Sequence, residues 1–348
     1  MKIGFVVNDI RTEKPGYTTT HLAMAATHMG HESWYINISD FAYATDECVH
    51  AKAAKVARPG HRLTCPYLRD LWSDEAINEY INVCELDVLM LRNDPSEDAT
   101  ARPWARLAGI NFSRFAADHG VLVVNDPDGL TKAVNKLYLQ QFPAEVRPQA
   151  LISRDREQIK RFTKEMGGTV VLKPLFGSGG RNVFLVRPED APNMNQMIEA
   201  VSRDGYIIAQ EYLPDAVNGD TRFFMLNGKP FEHKGHYAAI QRVRRDGDMR
   251  SNMTAGARSA PATVTDEILK LTETIRPQLL HNGMFFVGLD IVGNKLMEIN
   301  VFSPGGLEST EAFTGVKFSQ LIIEDLERKL DHRNSSDRHF SNRELATL

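Results

Sequence analysis

Residues 285–300 read FFVGLDIVGNKLMEIN. Two apolar runs flank the dipeptide Gly293-Asn294, which is typical of a tight turn. The pattern predicts a β-hairpin whose strands cover Phe285–Val292 and Lys295–Val301. Polar side chains between such apolar residues are costly to bury without a partner, so those that interrupt this hairpin mark a candidate site.

The polar positions of the hairpin are Asp290, Glu298 and Asn300. If the loop contains three residues, Asp290 lies opposite Glu298, and Asn300 shares their face because side chains alternate along a strand. A two-residue loop would instead put the two carboxylates on opposite faces. Three oxygen donors on one surface are the set that Mg²⁺ prefers beside substrate phosphates. The alternative is a solvated polar edge.

A glycine-rich turn lies upstream, where residues 173–181 read KPLFGSGGR between two predicted strands. Glycines allow successive backbone N–H groups to turn toward an anion, and Lys173 would add a positive charge at the end of the strand. The segment is not a Walker loop, because no Gly-Lys-Ser/Thr follows. The sequence therefore predicts a phosphate-binding turn here, with a plain hairpin turn as the alternative.

Arginines supply candidate anion-binding groups in other parts of the chain. Those between 241 and 258 accompany glycines, which suits a loop that closes on anions, unless it is simply a solvated basic loop. They are Arg242, Arg244, Arg245, Arg250 and Arg258. Arg222 precedes an apolar run and could stabilise a transferred phosphoryl group. Arg92 follows another strand, at the end where ligands of parallel sheets gather.

Composition limits the class of protein. The chain has 348 residues, 42% hydrophobic and 25% charged, which fits a soluble globular protein of two or three domains. A net charge of -4 argues against general binding to nucleic acid or to anionic membranes. The 3 cysteines have no metal-like spacing and fit a reducing compartment, which predicts a cytoplasmic protein.

Hydrophobic periodicity divides the chain into two parts. Up to Val124, apolar strands alternate with helices, which predicts a parallel sheet that is covered on both faces. Residues 40–84 show little periodicity and support no assignment. Beyond Pro127, short strands with tight turns predict an antiparallel α+β region that contains a helix over Leu130–Phe142. Residues 331–348 are polar and aperiodic, which predicts a flexible tail.

The order of the motifs resembles the ATP-grasp superfamily and, within it, the prokaryotic glutathione synthetase family. The match extends from the first strand to Leu330. It rests on Asn135-Lys136-Leu137, Val171-Leu172-Lys173-Pro174, Gly177-Ser178-Gly179-Gly180, Gln210-Glu211-Tyr212-Leu213, Gly219-Asp220-Thr221-Arg222, Arg250–Arg258, Val287-Gly288-Leu289-Asp290 and Glu298-Ile299-Asn300.

The resemblance implies an N-terminal α/β domain with a parallel sheet, followed by an α+β ATP-grasp fold whose two lobes enclose the nucleotide. The implied bounds are residues 1–125 for the N-terminal substrate domain, 126–205 for the central lobe, and 206–330 for the C-terminal catalytic lobe. Implied cofactors are ATP and Mg²⁺, with Mn²⁺ as an alternative. Implied partners are amino-acid or peptide substrates and further copies of the chain.

The resemblance also assigns roles to individual residues. The nucleotide-binding set is Lys136, Lys173, Gly177, Ser178, Gly179, Gly180, Gln210, Glu211, Tyr212, Leu213 and Asp220, in which Asp220 would reach the ribose. The metal ligands are Asp290, Glu298 and Asn300. The catalytic cations are Arg222, Arg242 and Arg258. The residues facing the substrate are Arg92, Asp94, Arg250, Asn252, Ser303, Gly305 and Gly306.

The implied reaction is ATP-dependent ligation of a carboxylate to an amine through an acyl phosphate, in which positioning and charge neutralisation supply the catalysis. The resemblance implies γ-glutamylcysteine and glycine as the substrates. The alternatives are the same chemistry on another amino acid or peptide pair and a nucleotide-binding regulator without turnover.

Overall fold

The computed structural model of the protein describes residues 1–98, 101–177, 180–244 and 258–348. Three sheets form the framework: one in the N-terminal domain, one in a central lobe and one in a C-terminal lobe. In the part of the chain that is described, no helix has both the length and the apolar character needed to cross a membrane.

The N-terminal domain contains a six-stranded sheet in the order β4-β3-β2-β1-β5-β6. Its elements are β1 (Lys2–Val7), α1 (Thr18–His28), β2 (Glu32–Tyr43), β3 (Val49–Lys55), α2 (Thr64–Leu71), β4 (Ile77–Asn82), β5 (Val88–Leu91), α3 (Ala108–Asp118) and β6 (Leu122–Val124). Strand β1 runs parallel to β2 and β5, and β5 runs parallel to β6, which confirms the predicted parallel sheet. Residues 40–84, left unassigned by periodicity, add β3 and β4 as an antiparallel extension.

The central lobe is a four-stranded antiparallel sheet in the order β7-β10-β8-β9, with two helices. Its elements are β7 (Ala150–Ser153), α5 (Arg156–Glu165), β8 (Val170–Pro174), β9 (Phe184–Val186), α6 (Met194–Ser202) and β10 (Ile207–Glu211). Because β10 pairs with both β7 and β8, it belongs to this lobe. The boundary predicted at 206 is therefore too early, and the sequence did not predict α6.

The C-terminal lobe is a sheet in the order β16-β15-β11-β17-β18, with β12 paired to β11. Its elements are β11 (Asp220–Leu226), β12 (Lys229–Pro230), β13 (Glu232–His233), β14 (His236–Tyr237), β15 (Ala239–Val243), β16 (Arg258–Pro261), α7 (Asp266–His281), β17 (Phe286–Val292), β18 (Lys295–Asn300), α8 (Leu307–Thr314), α9 (Phe318–Ser335) and α10 (Asn342–Ala346). Hydrogen bonds of Asn125 join this lobe to the N-terminal domain: Nδ2 donates to the Phe286 carbonyl at 3.1 Å, and Oδ1 accepts from the Phe286 N–H at 2.9 Å.

The helix predicted over Leu130–Phe142 is wrong. Helix α4 spans only Pro127–Lys132, and a separate 3₁₀ helix spans Lys136–Gln141. The break has a local cause, because Asn135 adopts extended backbone and its side chain accepts a hydrogen bond from the Leu137 N–H at 2.9 Å. Lys136 therefore begins a new turn instead of lying in the middle of a helix.

The flexible tail predicted for residues 331–348 is also wrong. Helix α9 continues to Ser335, and α10 packs with Leu345 at 3% exposure. The Asn342 side chain accepts from the Val123 N–H at 2.8 Å and donates to the Val123 carbonyl at 3.0 Å. Val123 lies on β6, an edge strand whose backbone groups need partners, so the C-terminal segment covers that edge.

Candidate active site

A cleft with a volume of about 1360 Å³ lies where the N-terminal domain and the two lobes meet. Each part contributes residues to its walls: Arg92 from the N-terminal domain, Lys173 from the central lobe, and Asp290 from the C-terminal lobe. The cleft therefore brings together motifs that lie about 200 residues apart in the sequence, as 290 and 92 do.

The acidic hairpin forms one wall, and Asp290 pairs directly with Glu298 as predicted. Val292 pairs with Lys295, so the loop contains two residues and not the three that were the condition for this pairing. A β-bulge then shifts the register between Asp290 and Ile291, so that the extra residue, Met297, restores the pairing. Both carboxylates share a face because the bulge compensates for the shorter loop.

Two arginines hold Asp290. Its carboxylate accepts from Arg222 Nε at 2.5 Å and lies 2.7 Å from Arg242 Nη2. All three side chains are buried. Burial alone would raise the pKa of Asp290, but the two guanidinium groups outweigh it and lower the pKa to about 2. Asp290 is therefore an anion at neutral pH.

The Arg242 side chain extends this network to Asp220. Arg242 Nε donates to Asp220 Oδ1 at 2.7 Å, and the pKa of Arg242 is raised, because Asp290 and Asp220 outweigh the effect of burial. Gly219 has φ +89° and lies against the Arg242 carbonyl, where a Cβ atom would overlap the oxygen. The glycine thus allows β11 and β15 to approach closely enough for the ion pair.

Two lysines face the acidic hairpin. Lys136 Nζ lies 2.5 Å from Glu298 Oε1. Burial lowers the pKa of Lys136, but the attraction of Glu298 exceeds this effect and raises it. Lys173, on β8 of the central lobe, has its pKa lowered to about 8 by burial and by the charge of Lys136. The cleft therefore concentrates positive charge opposite two carboxylates, which suits a polyphosphate.

Of the predicted nucleotide-binding residues, all those that the structure describes line the cleft except Glu211. The lining set is Lys136, Lys173, Gly177, Gly180, Gln210, Tyr212, Leu213 and Asp220. The Glu211 side chain instead accepts a hydrogen bond from the Gln149 N–H at 3.0 Å, immediately before the start of β7. The Gln210 side chain is 2% exposed and donates to Met297 Sδ at 3.6 Å, which links β10 to the bulged residue.

The residues predicted to face the substrate also line the cleft where the structure describes them. Arg92, Asp94, Ser303, Gly305 and Gly306 all line it. Arg92 donates to Thr19 Oγ1 at 3.2 Å and to the carbonyls of Phe302 and Pro304 at 3.3 Å each. Burial lowers the pKa of Arg92 to about 10.

Asp94 and Arg222 fix the backbone of segments that line the cleft. The Asp94 carboxylate accepts from the Ser96 N–H at 2.8 Å, which forms an Asx turn. Arg222 Nη1 donates to the Gly305 carbonyl at 2.8 Å and so connects the loop after β18 to Asp290.

Some predicted residues stand elsewhere. Arg258 is exposed on β16 and is not among the residues that line the cleft, so the structure does not join this predicted catalytic cation to Arg222 and Arg242. Ser178, Gly179, Arg250 and Asn252 lie outside the described residues.

Sequence reasoning missed Glu13, which lines the cleft with only 8% exposure. Burial raises the pKa of Glu13 to about 7, although the charge of Arg92 works against the shift. The residue lies between a 3₁₀ turn at Ile10–Thr12 and helix α1, where no motif marks it. Only its position after the first strand of a parallel sheet signalled a ligand-facing residue.

The hairpin residues fit a hard divalent cation. Asp290 and Glu298 both have lowered pKa values, because their cationic partners outweigh burial, so both are ionised as metal ligation requires. The Asn300 Nδ2 donates to the Gly288 carbonyl at 3.4 Å, which leaves the amide oxygen as the acceptor. Two carboxylates and an amide oxygen are the donors that Mg²⁺ or Mn²⁺ takes.

Solved structures share this fold along almost the whole chain. D-cycloserine synthetase DcsG superposes with a TM-score of 0.63 at 15% identity and covers 93% of this chain and 99% of its own. The macrocyclase MdnC from Microcystis aeruginosa, bound to its precursor peptide, gives 0.61 at 12% identity, covering 94% and 99%. The ATP-grasp ligase PsnB superposes at 0.57 with 16% identity, covering 93% and 98%. The fold is thus that of the ATP-grasp ligases.

Sequence comparison identifies the family within this fold. The family model of the prokaryotic glutathione synthetase N-terminal domain matches residues 1–131, and that of the ATP-grasp domain matches residues 135–315. A glutathione synthetase from Synechocystis sp. is 30% identical over 338 residues, 94% of this chain and 100% of the relative. Another, from Gloeobacter violaceus, is 34% identical over 330 residues, 93% and 96%. The chain belongs to the prokaryotic glutathione synthetase family.

Proposed function

We propose that the protein joins the carboxyl group of γ-glutamylcysteine to the amino group of glycine, with conversion of ATP to ADP and phosphate. The observation that carries the proposal is the convergence of the acidic hairpin, two lysines and two arginines on one cleft. Full-length similarity to glutathione synthetases supports this substrate pair over other pairs.

The reaction needs no nucleophile from the protein. A carboxylate oxygen of γ-glutamylcysteine attacks the γ-phosphorus of ATP, and the bond from that phosphorus to the bridging oxygen of ADP breaks. The glycine amine then attacks the acyl carbon, phosphate leaves, and the nitrogen loses a proton to solvent. Both steps depend on placing the reactants and on neutralising charge, which the groups lining this cleft are suited to do.

We assign the phosphate contacts to Lys136 and Lys173, together with the backbone around Gly177 and Gly180. Asp290, Glu298 and Asn300 would hold Mg²⁺, or Mn²⁺ in its place, and the ion would neutralise phosphate charge. Arg222 and Arg242 keep Asp290 ionised and oriented, and their remaining N–H groups can stabilise charge at the transferred group. The fold of the hairpin supports these roles, because it presents all three donors on one face.

Arg92 acts in this proposal as a positioning residue. Its guanidinium holds the carbonyls of Phe302 and Pro304, so it fixes the loop that carries Ser303, Gly305 and Gly306. That loop lines the cleft, and we place the peptide substrate against it. In this proposal Arg92 therefore supports the loop that faces the substrate.

The test is a substrate-pair screen by mass spectrometry with purified protein, ATP and Mg²⁺. We expect the tripeptide, together with equal amounts of ADP and phosphate, from γ-glutamylcysteine and glycine. Reactions that lack one substrate at a time measure uncoupled ATP hydrolysis. Phosphate release and amide formation with another pair, but not with this one, would replace the proposed substrates, and nucleotide binding without turnover on any pair would indicate a regulator.

We also propose that the reaction takes place in the cytoplasm. A ligase that consumes ATP and a thiol peptide fits the reducing cytoplasm, and the cysteines Cys48, Cys65 and Cys84 are free thiols. The homo-oligomer that the family resemblance implies stays a prediction, which sedimentation equilibrium of the purified chain would measure.

A further inference from the structure

Two cysteines and a histidine meet outside the cleft, although they lie far apart in the sequence. One ligand atom from each of Cys48, Cys84 and His119 lies within 4.8 Å of the other two. Cys48 precedes β3, Cys84 lies in the 3₁₀ helix Val83–Glu85, and His119 ends α3. None of the three lines the cleft. The cluster therefore belongs to no part of the proposed ligase machinery.

Backbone hydrogen bonds hold each member of the trio. His119 Nδ1 lies 2.7 Å from the Phe115 carbonyl, which can only accept, so Nδ1 carries the proton and Nε2 keeps its lone pair. Histidines that bind metals commonly make this kind of second hydrogen bond. Cys84 Sγ accepts from the Val49 N–H at 3.4 Å, and the Cys48 N–H donates to Asp46 Oδ1 at 3.2 Å.

We propose that Cys48, Cys84 and His119 form a binding site for a soft divalent cation, with Zn²⁺ as the expected ion. Thiolate sulfur and imidazole nitrogen are the donors that Zn²⁺ takes in proteins, whereas Mg²⁺ prefers oxygen. A tetrahedral Zn²⁺ with ligands at about 2.0–2.3 Å sets donor atoms about 3.5–3.8 Å apart. From the upper limit of 4.8 Å, the trio needs to contract by no more than about 1.3 Å, which rotation of half-buried and exposed side chains allows.

The proposed site would connect two parts of the N-terminal domain. Cys48 and Cys84 flank the antiparallel extension formed by β3 and β4, whereas His119 belongs to the end of a helix that covers the sheet. An ion bound to all three would tie the extension to α3. The fourth position would be taken by water, since His119 is exposed at the surface.

The experiment titrates Zn²⁺ into the reduced full-length protein against a chromophoric chelator, with excess Mg²⁺ present and no thiol substrate. We expect one equivalent of Zn²⁺ per chain. Substitutions C48S, C84S and H119A should each weaken the affinity by about 100-fold or more. C65S is the matched control, because Cys65 is an exposed cysteine on α2, outside the trio, and should bind Zn²⁺ like the wild type.

Two further readouts separate this site from adventitious binding. Co²⁺ should give the charge-transfer and d–d absorption of a tetrahedral thiolate site in the wild type and C65S, but not in C48S. Zn²⁺ at about 100 times its Kd should raise the wild-type Tm by about 3–5 °C and leave that of C48S unchanged. Ligase turnover should be the same in C48S and wild type.

The proposal fails if the reduced wild type takes up no Zn²⁺, or if C48S and C65S bind it equally. It also fails if Cys48 and Cys84 are isolated as a disulfide and their reduction creates no Zn²⁺ site. Because ligase turnover is measured separately, none of these results bears on the proposed ligation reaction.

Discussion

The two lobes that enclose the cleft are built differently. The central lobe has its own apolar core, which among the described residues shares no member with the other core clusters. That core contains Ile159, Val170, Leu172, Val186, Met194, Ile198, Val201, Ile207 and Ala209. The C-terminal lobe instead shares both of its cores with the N-terminal domain: Leu289 and Leu89 belong to one cluster, Phe286 and Phe5 to the other.

This difference separates the cleft residues that are held by the two shared cores from those that are held by the core of the central lobe. The acidic hairpin and its arginines lie on the lobe that is joined to the N-terminal domain, so their geometry is set by the larger core. Lys173 and Gln210 lie on the central lobe, and its separate core predicts that this lobe can open locally without the rest. Lys136 stands at the junction, since its N–H donates to the Leu175 carbonyl at 3.1 Å while its side chain reaches Glu298.

The largest expected effect comes from breaking the charge contact across this junction. Glu298→Gln removes the carboxylate that pairs with Lys136 and that would hold the metal. We expect turnover to fall by about 100-fold or more with little change in Tm, because the lost charge acts mainly on the transferred phosphoryl group. The measurement is kcat at saturating ATP and Mg²⁺.

The control is Glu273→Gln on α7, where the side chain is 59% exposed and pairs with Arg276. That variant should retain wild-type kcat, since surface ion pairs contribute little. Near-normal turnover of Glu298→Gln at saturating Mg²⁺ would argue against the metal assignment.

A matched pair of core truncations examines the two lobes directly. Ile198→Ala on α6 and Ile275→Ala on α7 each remove a buried side chain, at 2% and 0% exposure, and each should cost about 2–4 kcal/mol locally. In hydrogen exchange, Ile198→Ala should accelerate exchange in β7 to β10 alone. Ile275→Ala should accelerate it in both the C-terminal and the N-terminal sheets, because its core spans them.

Equal acceleration in every sheet of both variants would mean that the molecule unfolds as one unit. The separate core of the central lobe would then not allow that lobe to unfold independently of the rest.

The acidic hairpin illustrates how much of the candidate site could be predicted from the sequence. Apolar runs predicted both strands, and the structure confirms that Asp290 lies opposite Glu298, which the alternation of side chains predicted for a three-residue loop. The loop has two residues, and the pairing is kept by the bulge at Met297, which leaves no periodic signal. The local sequence pattern therefore predicted the pairing of the two strands but not the β-bulge that produces it.

Residues brought together by tertiary structure alone escaped prediction. Cys48, Cys84 and His119 have no metal-like spacing because they come from three separate elements. Glu13 follows no motif, and the Asn135 cap was hidden inside an apolar pattern that read as one helix. The docking of α10 rests on the side chain of Asn342 and the small buried surface of Leu345 and Ala346, too short a segment for periodicity to reveal.

Glu13 lies in the N-terminal domain, which shares its cores with the C-terminal lobe. The pH dependence of the free energy of unfolding tests this part of the molecule. The pKa of Glu13 is raised to about 7 by burial, so the folded state keeps the proton longer than the unfolded chain does. Stability should therefore fall as pH rises from the ordinary pKa of a glutamate through about 7. Glu13→Gln should match the wild type in acid and exceed it by about 1–3 kcal/mol near pH 8, measured by denaturant unfolding.

Glu308→Gln is the control for Glu13→Gln, since Glu308 lines the same cleft but is exposed. It should leave the pH profile of stability unchanged. A wild-type profile that coincides with that of Glu13→Gln at all pH values would mean that Glu13 ionises in the folded protein as it does in water.

The smallest expected effect concerns Lys173 on the central lobe, whose pKa is lowered to about 8. At about pH 8.5 most of the Lys173 side chains are neutral, and a bound polyphosphate would favour the charged form. Nucleotide binding should then take up about 0.7 protons, measured by titration calorimetry in buffers of different ionisation enthalpy. Lys173→Arg keeps its charge at this pH, so its binding should involve almost no uptake. Equal uptake by both proteins would assign the proton to another group and would leave the central lobe without a titrating contact to the nucleotide.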